Sequence, residues 1–140
     1  MIGGLRTKAG VEFAQIQAGG FRLLGALEAT AREMGRILTI TCGTEGHGPT
    51  DPHTRGLAYD VSVLGMAPDD LVLLRAHLME ALPADLFTVL YEVPQLPGPG
   101  VLQAIATLNT RASAPHLHLQ VRKGTVYPPS MLVTPETRIV

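Results

Sequence analysis

Cysteine, tryptophan and charged residues are all scarce in this sequence. Its 140 residues include one cysteine, Cys42, and no tryptophan, and charged residues make up 16%. A single cysteine excludes an internal disulfide framework and any metal site built from several thiolates of one chain. We expect Cys42, inside an apolar strand, to be a small core residue. The net charge of −1 provides no basic field, so we expect neither nucleic acid nor an anionic membrane surface as a partner.

Long apolar runs are also missing. No run approaches the roughly 18 apolar residues that a membrane-spanning helix needs, so we expect no membrane span. The first ten residues, MIGGLRTKAG, lack the apolar stretch of a signal peptide, so we expect synthesis in the cytoplasm without one. Hydrophobic residues are nevertheless 46% of the chain, with a mean hydropathy of +0.22. The sequence therefore predicts a folded protein with a real core.

The pattern of apolar residues predicts one α+β domain over residues 1–140, because neither a repeat nor a linker interrupts it. Apolar spacings of three and four predict a helix over 21–34. A second helix is predicted over 68–82, with Pro68 in its first turn. Apolar or alternating segments predict strands at 37–42, 57–63, 87–92 and 116–122. We also expect a short strand at 11–13 and a helical stretch within 101–108.

The last predicted strand carries two histidines on one face. With a period of two, His116, His118 and Gln120 point one way, and the intervening apolar residues point the other way. Two imidazoles on one side of such a strand need polar partners. A single strand histidine is more often an ordinary core or surface residue, so the case for a site depends on what else the sequence provides.

A carboxylate and a third histidine complete a possible metal site. Asp60 lies between the small residues Ala58 and Ser62 on one face of its strand, and His53 precedes it by seven positions. Gly56 allows the loop between them to fold back. Imidazoles and a carboxylate are ligands that zinc prefers, and three protein ligands leave a fourth position for water. Such a site provides a zinc-bound hydroxide near neutral pH and polarises a carbonyl, as amide hydrolysis requires.

These residues resemble a known family signature. The stretch HTRGLAYD, from His53 to Asp60, and the later HLH, from His116 to His118, are similar to the SxHxxGxAxD and HxH motifs of certain peptidoglycan-cleaving enzymes. These are the zinc D-alanyl-D-alanine carboxypeptidases and L-alanyl-D-glutamate endopeptidases, which include phage endolysins and share the fold of the hedgehog N-terminal domain. The resemblance covers about residues 37–122.

The resemblance implies both a fold and a ligand set. The implied fold is an antiparallel sheet with helices packed on one face and a zinc site on the open face. The implied ligands are His53, Asp60 and His118, because the second histidine of HxH is the ligand in this family. The first, here His116, lies beside the metal in such members and is a candidate for stabilising the transition state.

Two departures from the family pattern concern the loop before Asp60. The signature serine is Asp51 here. An arginine that binds the substrate carboxylate in many members is missing, because Thr44 and Glu45 follow the TCG strand end. His47 and Arg55 are the candidates that could replace it.

A third departure concerns the catalytic proton carrier. The family's catalytic acid stands three residues before the ligand histidine, and Pro115 occupies that position here. In related phage proteins a strand ends in a glutamate just before the HxH strand, which makes Glu92 the candidate general base. His116 is its rival, because it shares a strand face with His118.

Two functions therefore remain. The first is a zinc peptidase that hydrolyses an amide bond in peptidoglycan stem peptides, reaching the cell wall through phage lysis or delivery machinery. The second is a zinc-bound domain without catalysis, used in binding or virion assembly. The retained ligand set favours the first, and the departures favour the second. The cleaved bond, the host and the oligomeric state stay open at this point.

Overall fold

The computed structural model describes residues 3–14, 16–45, 48 and 50–122. Within them the chain forms six strands and three helices. Their order is β1 (Gly4–Thr7), α1 (Ala18–Met34), β2 (Ile37–Cys42), β3 (Ala58–Ser62), α2 (Pro68–Ala81), β4 (Phe87–Val93), α3 (Val101–Ile105), β5 (Ala106–Leu108) and β6 (His116–Val121).

The six strands form one open sheet in the order β1-β2-β3-β6-β4-β5. Four of the strands expected from the sequence form its centre, where β2, β3, β6 and β4 pair antiparallel. The outer strands β1 and β5 each join in parallel, so the sheet is mixed and antiparallel only at its centre. The mixed α and β composition of a single small domain is confirmed.

Helices α1 and α2 cover one face of this sheet. Fully buried leucines from both helices pack against alternate residues of β3 and β6, including Tyr59, Val61, Leu117 and Leu119. Helix α2 begins at Pro68, with Asp69 and Asp70 in its first turn. A proline needs no partner for an N–H there, and the acids interact favourably with the positive end of the helix dipole. The remaining face of the sheet carries the alternate, mostly polar residues.

Some expected elements differ from those observed. Residues 11–13 form no strand, and Phe13 instead stacks on Tyr59 with ring centroids 5.8 Å apart. The helical stretch expected within 101–108 ends at Ile105, because Ala106–Leu108 pairs with β4. β1, at Gly4–Thr7, was not expected. Strands of three and four residues at sheet edges are too short for alternation to identify them.

Among the described residues, none of the helices combines the length and the apolar character needed to cross a bilayer.

Candidate metal centre

Strand register brings the polar residues of three strands together on the open face. In the β3–β6 pair, Asp60 lies opposite His118 and Ser62 lies opposite His116. In the β4–β6 pair, Glu92 lies opposite His116. Directly opposite residues of antiparallel strands have Cβ atoms about 4.5–5.5 Å apart, so their side chains meet. The alternation that makes one face apolar therefore collects these groups on the other.

The carboxylate of Asp60 lies at the centre of this cluster. Its Oδ1 is 2.8 Å from Nδ1 of His118, 3.5 Å from Nε2 of His53 and 3.7 Å from Nε2 of His116. The side chain of Asp60 is 18% exposed. Three imidazoles thus approach one half-buried oxygen, and two of them are the expected metal ligands.

The Asp60–His118 contact changes the pKa of both groups. Burial raises the pKa of Asp60, but hydrogen bonds from His118 and His53 and the charges of these rings outweigh it and hold the pKa well below its usual range. Burial lowers the pKa of His118, but its hydrogen bonds with Asp60 and Gln120 outweigh that effect and raise it. In the metal-free protein the two groups therefore favour a carboxylate–imidazolium pair.

Gln120 orients the ring of His118. Nε2 of His118 lies 2.9 Å from Oε1 of Gln120, and an amide oxygen can only accept, so Nε2 carries the proton. In the neutral ring this leaves the lone pair on Nδ1, which faces Asp60. A group that holds the second nitrogen of a ligand histidine in this way is typical of metal sites. The alternation of β6 predicts the face on which Gln120 lies, but it does not predict this contact.

Glu92 and His116 form a second pair beside the first. Nε2 of His116 lies 3.0 Å from Oε1 of Glu92, and Nδ1 of His116 donates to the carbonyl oxygen of Ala114 at 3.0 Å. Because Nδ1 already donates, the short contact to Glu92 requires a proton on Nε2 or on the carboxyl group. The structure therefore brings both expected catalytic residues together next to Asp60. Their catalytic roles stay predictions.

The loop before β3 fixes His53, which is only 5% exposed. Oδ1 of Asp51 accepts a hydrogen bond from the backbone N–H of His53 at 2.8 Å, so the residue that replaces the signature serine still anchors the loop. Gly56 has a φ of +70°, which disfavours other residues. A Cβ at position 20 of α1 would lie only 2.0 Å from the carbonyl oxygen of Gly56. Because Gly20 has no Cβ, the loop that carries His53 can pack closely against the helix.

Among the described residues, two sets of three side chains have donor atoms within 4.8 Å of one another. One is Cys42, His53 and Asp60, and the other is Asp60, Glu92 and His118. Both contain Asp60. The expected ligands His53 and His118 fall in different sets, although their rings lie 5.2 Å apart and both contact Asp60. The chain thus provides residues that could hold a metal ion, and their donor atoms are nitrogen, oxygen and sulfur.

The expectation that Cys42 is an ordinary core residue was wrong. Regular alternation along β2 would place Cys42 on the core face with Ile40. A bulge between these residues shifts the register, so that Ile40 pairs with Val61 but Cys42 pairs with Asp60. A bulge adds one residue to a strand and re-aims the side chains that follow it. Burial, followed by the charges of Asp60 and Glu45, raises the pKa of the Cys42 thiol to about 12.

A cleft of about 640 Å³ opens over the cluster. Asp60, Glu92 and His116 line it, together with the loop that precedes β6. Two cationic residues, Lys8 and Arg111, also line it. No motif marks them, since only the chain's fold brings them to the cleft.

The two substrate-binding candidates from the sequence are not in the described part of this cleft. Arg55 is exposed, and its carbonyl oxygen accepts a hydrogen bond from Gln17 at 3.0 Å, but it is not among the residues lining the cleft. His47 lies outside the described residues. Glu45, near the position of the family's arginine, accepts hydrogen bonds from the backbone of Gly43 and Glu12 at 2.9 Å each. Its role here is to brace the loop after β2.

The chain matches no protein-family model, and neither a curated protein nor a solved structure matches it. A function for this chain is therefore inferred from this cluster of residues and from the motif that its sequence resembles.

Proposed function

We propose that this protein is a zinc-dependent peptidase that hydrolyses an amide bond in peptidoglycan stem peptides. The observation that supports the proposal most is that two clusters of polar side chains lie next to each other on one face of the sheet. Asp60 contacts His53 and His118, and a Glu92–His116 pair lies beside it at the cleft. Metal-assisted hydrolysis needs side chains that bind a metal ion and, beside them, a group that accepts and donates a proton.

The donor chemistry fits zinc. Imidazoles and a carboxylate bind zinc at about 2.0–2.2 Å, and Gln120 holds the ring of His118 with Nδ1 toward Asp60. His53, Asp60 and His118 are the proposed ligands. When bound, zinc acts as a Lewis acid that activates water and polarises the scissile carbonyl.

Proton transfer is assigned to the chain's own residues. The proton between Glu92 and His116 lies in a hydrogen bond whose nitrogen and oxygen are 3.0 Å apart. Both side chains are 15% exposed and line the cleft. Glu92 accepts a proton from the nucleophilic water and passes it to the leaving amine. Protonation of Glu92 weakens its hydrogen bond with Nε2 of His116, and the Nε2–H then stabilises charge on the carbonyl oxygen. Pro115 has no group for this work, so the pair takes the role that the family gives to the residue at that position.

The cleft accounts for binding of an anionic peptide. Its volume of about 640 Å³ lies within the range of about 300–1,000 Å³ typical of small-ligand sites. Lys8 and Arg111 provide positive charge in the same cleft as the carboxylates of Asp60 and Glu92. Stem peptides carry free carboxylates, which these cations attract. The substrate is part of the cell wall, so the proposal includes release by phage lysis or a delivery machinery.

The test is hydrolysis of purified cell walls and soluble muropeptides, with products identified by mass spectrometry. We expect cleavage that a chelator abolishes and zinc restores. His118→Ala should lose both zinc and cleavage, while His77→Ala, which changes a half-buried histidine on α2, should keep both. Activity that survives complete removal of metal would contradict the proposal.

A zinc-bound domain without catalysis is the second candidate. It is favoured by Cys42, whose sulfur lies within 4.8 Å of donor atoms of His53 and Asp60, because an additional protein donor closes the position that water needs. Stoichiometric zinc with no cleavage of any cell-wall substrate would favour this binding or assembly role over the peptidase.

A further inference from the structure

We propose that Cys42 is a ligand of the metal, so that the centre combines sulfur, nitrogen and oxygen donors from Cys42, His53 and Asp60. The inference rests on the proposed metal centre and adds a donor that the family motif does not contain. Its basis is the set of donor atoms of these three residues, which all lie within 4.8 Å of one another. Donors at that separation need only small side-chain movements to reach one zinc ion, whose ligands lie at about 2.0–2.3 Å.

The bulge in β2 is what directs the thiol to this position. In an unbroken antiparallel register, pairing Ile40 with Val61 would pair Cys42 with Tyr59, whose side chain is fully buried on the core face. The extra residue pairs Cys42 with Asp60 instead, and both Thr41 and Cys42 line the cleft. Bulges are common beside functional sites, where they re-aim a side chain.

The electrostatics around the thiol favour a bound cation. Burial is the largest cause of the raised pKa of the Cys42 thiol, and the negative charges of Asp60, Glu45 and Asp51 add to it. The same negative potential attracts a divalent metal, and a coordinating thiol loses its proton outright. Binding therefore forms one metal–sulfur bond, breaks one S–H bond and releases one proton to solvent.

A thiolate ligand has a consequence for metal choice. Sulfur donors favour zinc over magnesium, calcium and manganese, which prefer oxygen. With Cys42, His53 and Asp60 as its ligands, the centre keeps a fourth position for water, as the peptidase requires. His118 as a fourth protein ligand would close the centre and favour the binding role over the peptidase.

The decisive measurement is zinc K-edge X-ray absorption on the full chain loaded with one equivalent of zinc. We expect one sulfur at about 2.3 Å beside nitrogen or oxygen donors at about 2.0–2.2 Å. Cys42 is the only cysteine, so a thiolate shell identifies it without ambiguity. In Cys42→Ser the sulfur shell should disappear while nitrogen and oxygen donors remain.

A second measurement covers the case in which the serine variant fails to fold. Cobalt(II) loaded into the wild-type chain in place of zinc should give the near-ultraviolet charge-transfer absorption of a cobalt–thiolate bond. Cobalt that binds without this absorption would overturn the inference.

The outcomes separate this inference from the proposed function. Zinc bound by nitrogen and oxygen donors alone would overturn the role of Cys42 and leave the peptidase proposal intact. A wild-type chain that binds no zinc at all would overturn both. A sulfur shell in a protein that cleaves no cell-wall peptide would support the role of Cys42 and contradict the peptidase.

Discussion

At the scale of single residues, Asp60 connects the three histidines of the centre. One of its oxygens contacts His118, His53 and His116, and its strand partner across the bulge is Cys42. A carboxylate can accept several hydrogen bonds at once, which is why one residue can hold several imidazoles. The position of Asp60 therefore determines which other side chains can bind the same metal ion.

Gln120→Leu tests whether the orientation of His118 matters. The variant removes the amide oxygen that accepts the Nε2 proton, so the ring can turn and its Nδ1 no longer faces Asp60 reliably. Loss of such an outer partner typically lowers metal affinity about 10–100-fold. Zinc affinity by competition with a chromophoric chelator measures this. Gln103→Leu, at an exposed glutamine on α3, is the matched control. Equal zinc affinities in the two variants would argue against the role of Gln120.

Glu92→Gln separates the general base from a metal ligand. If Glu92 carries the proton, hydrolysis should fall by about 10²–10⁴ with zinc content unchanged. Glu92 also belongs to a set of possible metal donors with Asp60 and His118, and loss of zinc together with activity would assign it there. Glu80→Gln, an exposed carboxylate on α2, is the control. Near-normal turnover in Glu92→Gln would exclude it as the base.

Residue types and spacing alone were enough to find the histidines, but not Cys42 or Gln120. His116 and His118 stand out because they interrupt an apolar strand, and Asp60 does so in its own strand. Cys42 looks like a core residue until the bulge is known, because a one-residue shift moves a side chain to the other face. No local sequence signal marks that shift.

At the scale of elements, the central strands and both long helices were predictable, and the edges were not. β2 spans Ile37–Cys42, the range that its apolar pattern predicts, and α2 begins at Pro68 as expected. β1 and β5 are held by their neighbours in the sheet, which a single sequence does not reveal. Their parallel pairing likewise depends on tertiary context.

Gly20→Ala tests how the helix positions the metal loop. A methyl group at this position would overlap the carbonyl oxygen of Gly56, so the loop that carries His53 must shift. Zinc affinity should fall, although alanine is otherwise favoured in helices by about 1 kcal/mol. Isothermal titration with zinc and circular dichroism of the metal-free variant measure the two effects. Gly98→Ala is the control, because a Cβ there meets nothing within 4 Å. Unchanged zinc affinity in Gly20→Ala would show that the close approach is dispensable.

At the scale of the whole molecule, one ion pair links folding stability, pH and metal binding. The pKa of Asp60 is lowered in the folded state, so its contribution to stability is present above the usual value of 3.8 and is lost on acidification below it. The pKa of His118 is raised, so its contribution is present below the usual value of 6.5 and is lost as pH rises through the folded value. The metal-free protein therefore gains most from this pair between pH 3.8 and pH 6.5.

Zinc should have the opposite dependence on pH, because it competes with the proton on His118. The increase in melting temperature on adding zinc should be small at about pH 5 and should grow toward pH 8, as pH rises through the raised pKa of His118. Zinc at 100 times its dissociation constant stabilises a fold by about 2.7 kcal/mol, which is measurable in a domain of this size. Thermal unfolding followed by circular dichroism, with and without zinc across this pH range, tests the prediction. His118→Ala should make the zinc-induced shift nearly independent of pH. His77→Ala should retain the dependence, because His77 lies near the exposed Glu33 and away from the metal centre. A zinc-induced shift of the same size at pH 5 and pH 8 would mean that the ligands are not histidines, and the metal would then have to be assigned to the carboxylates.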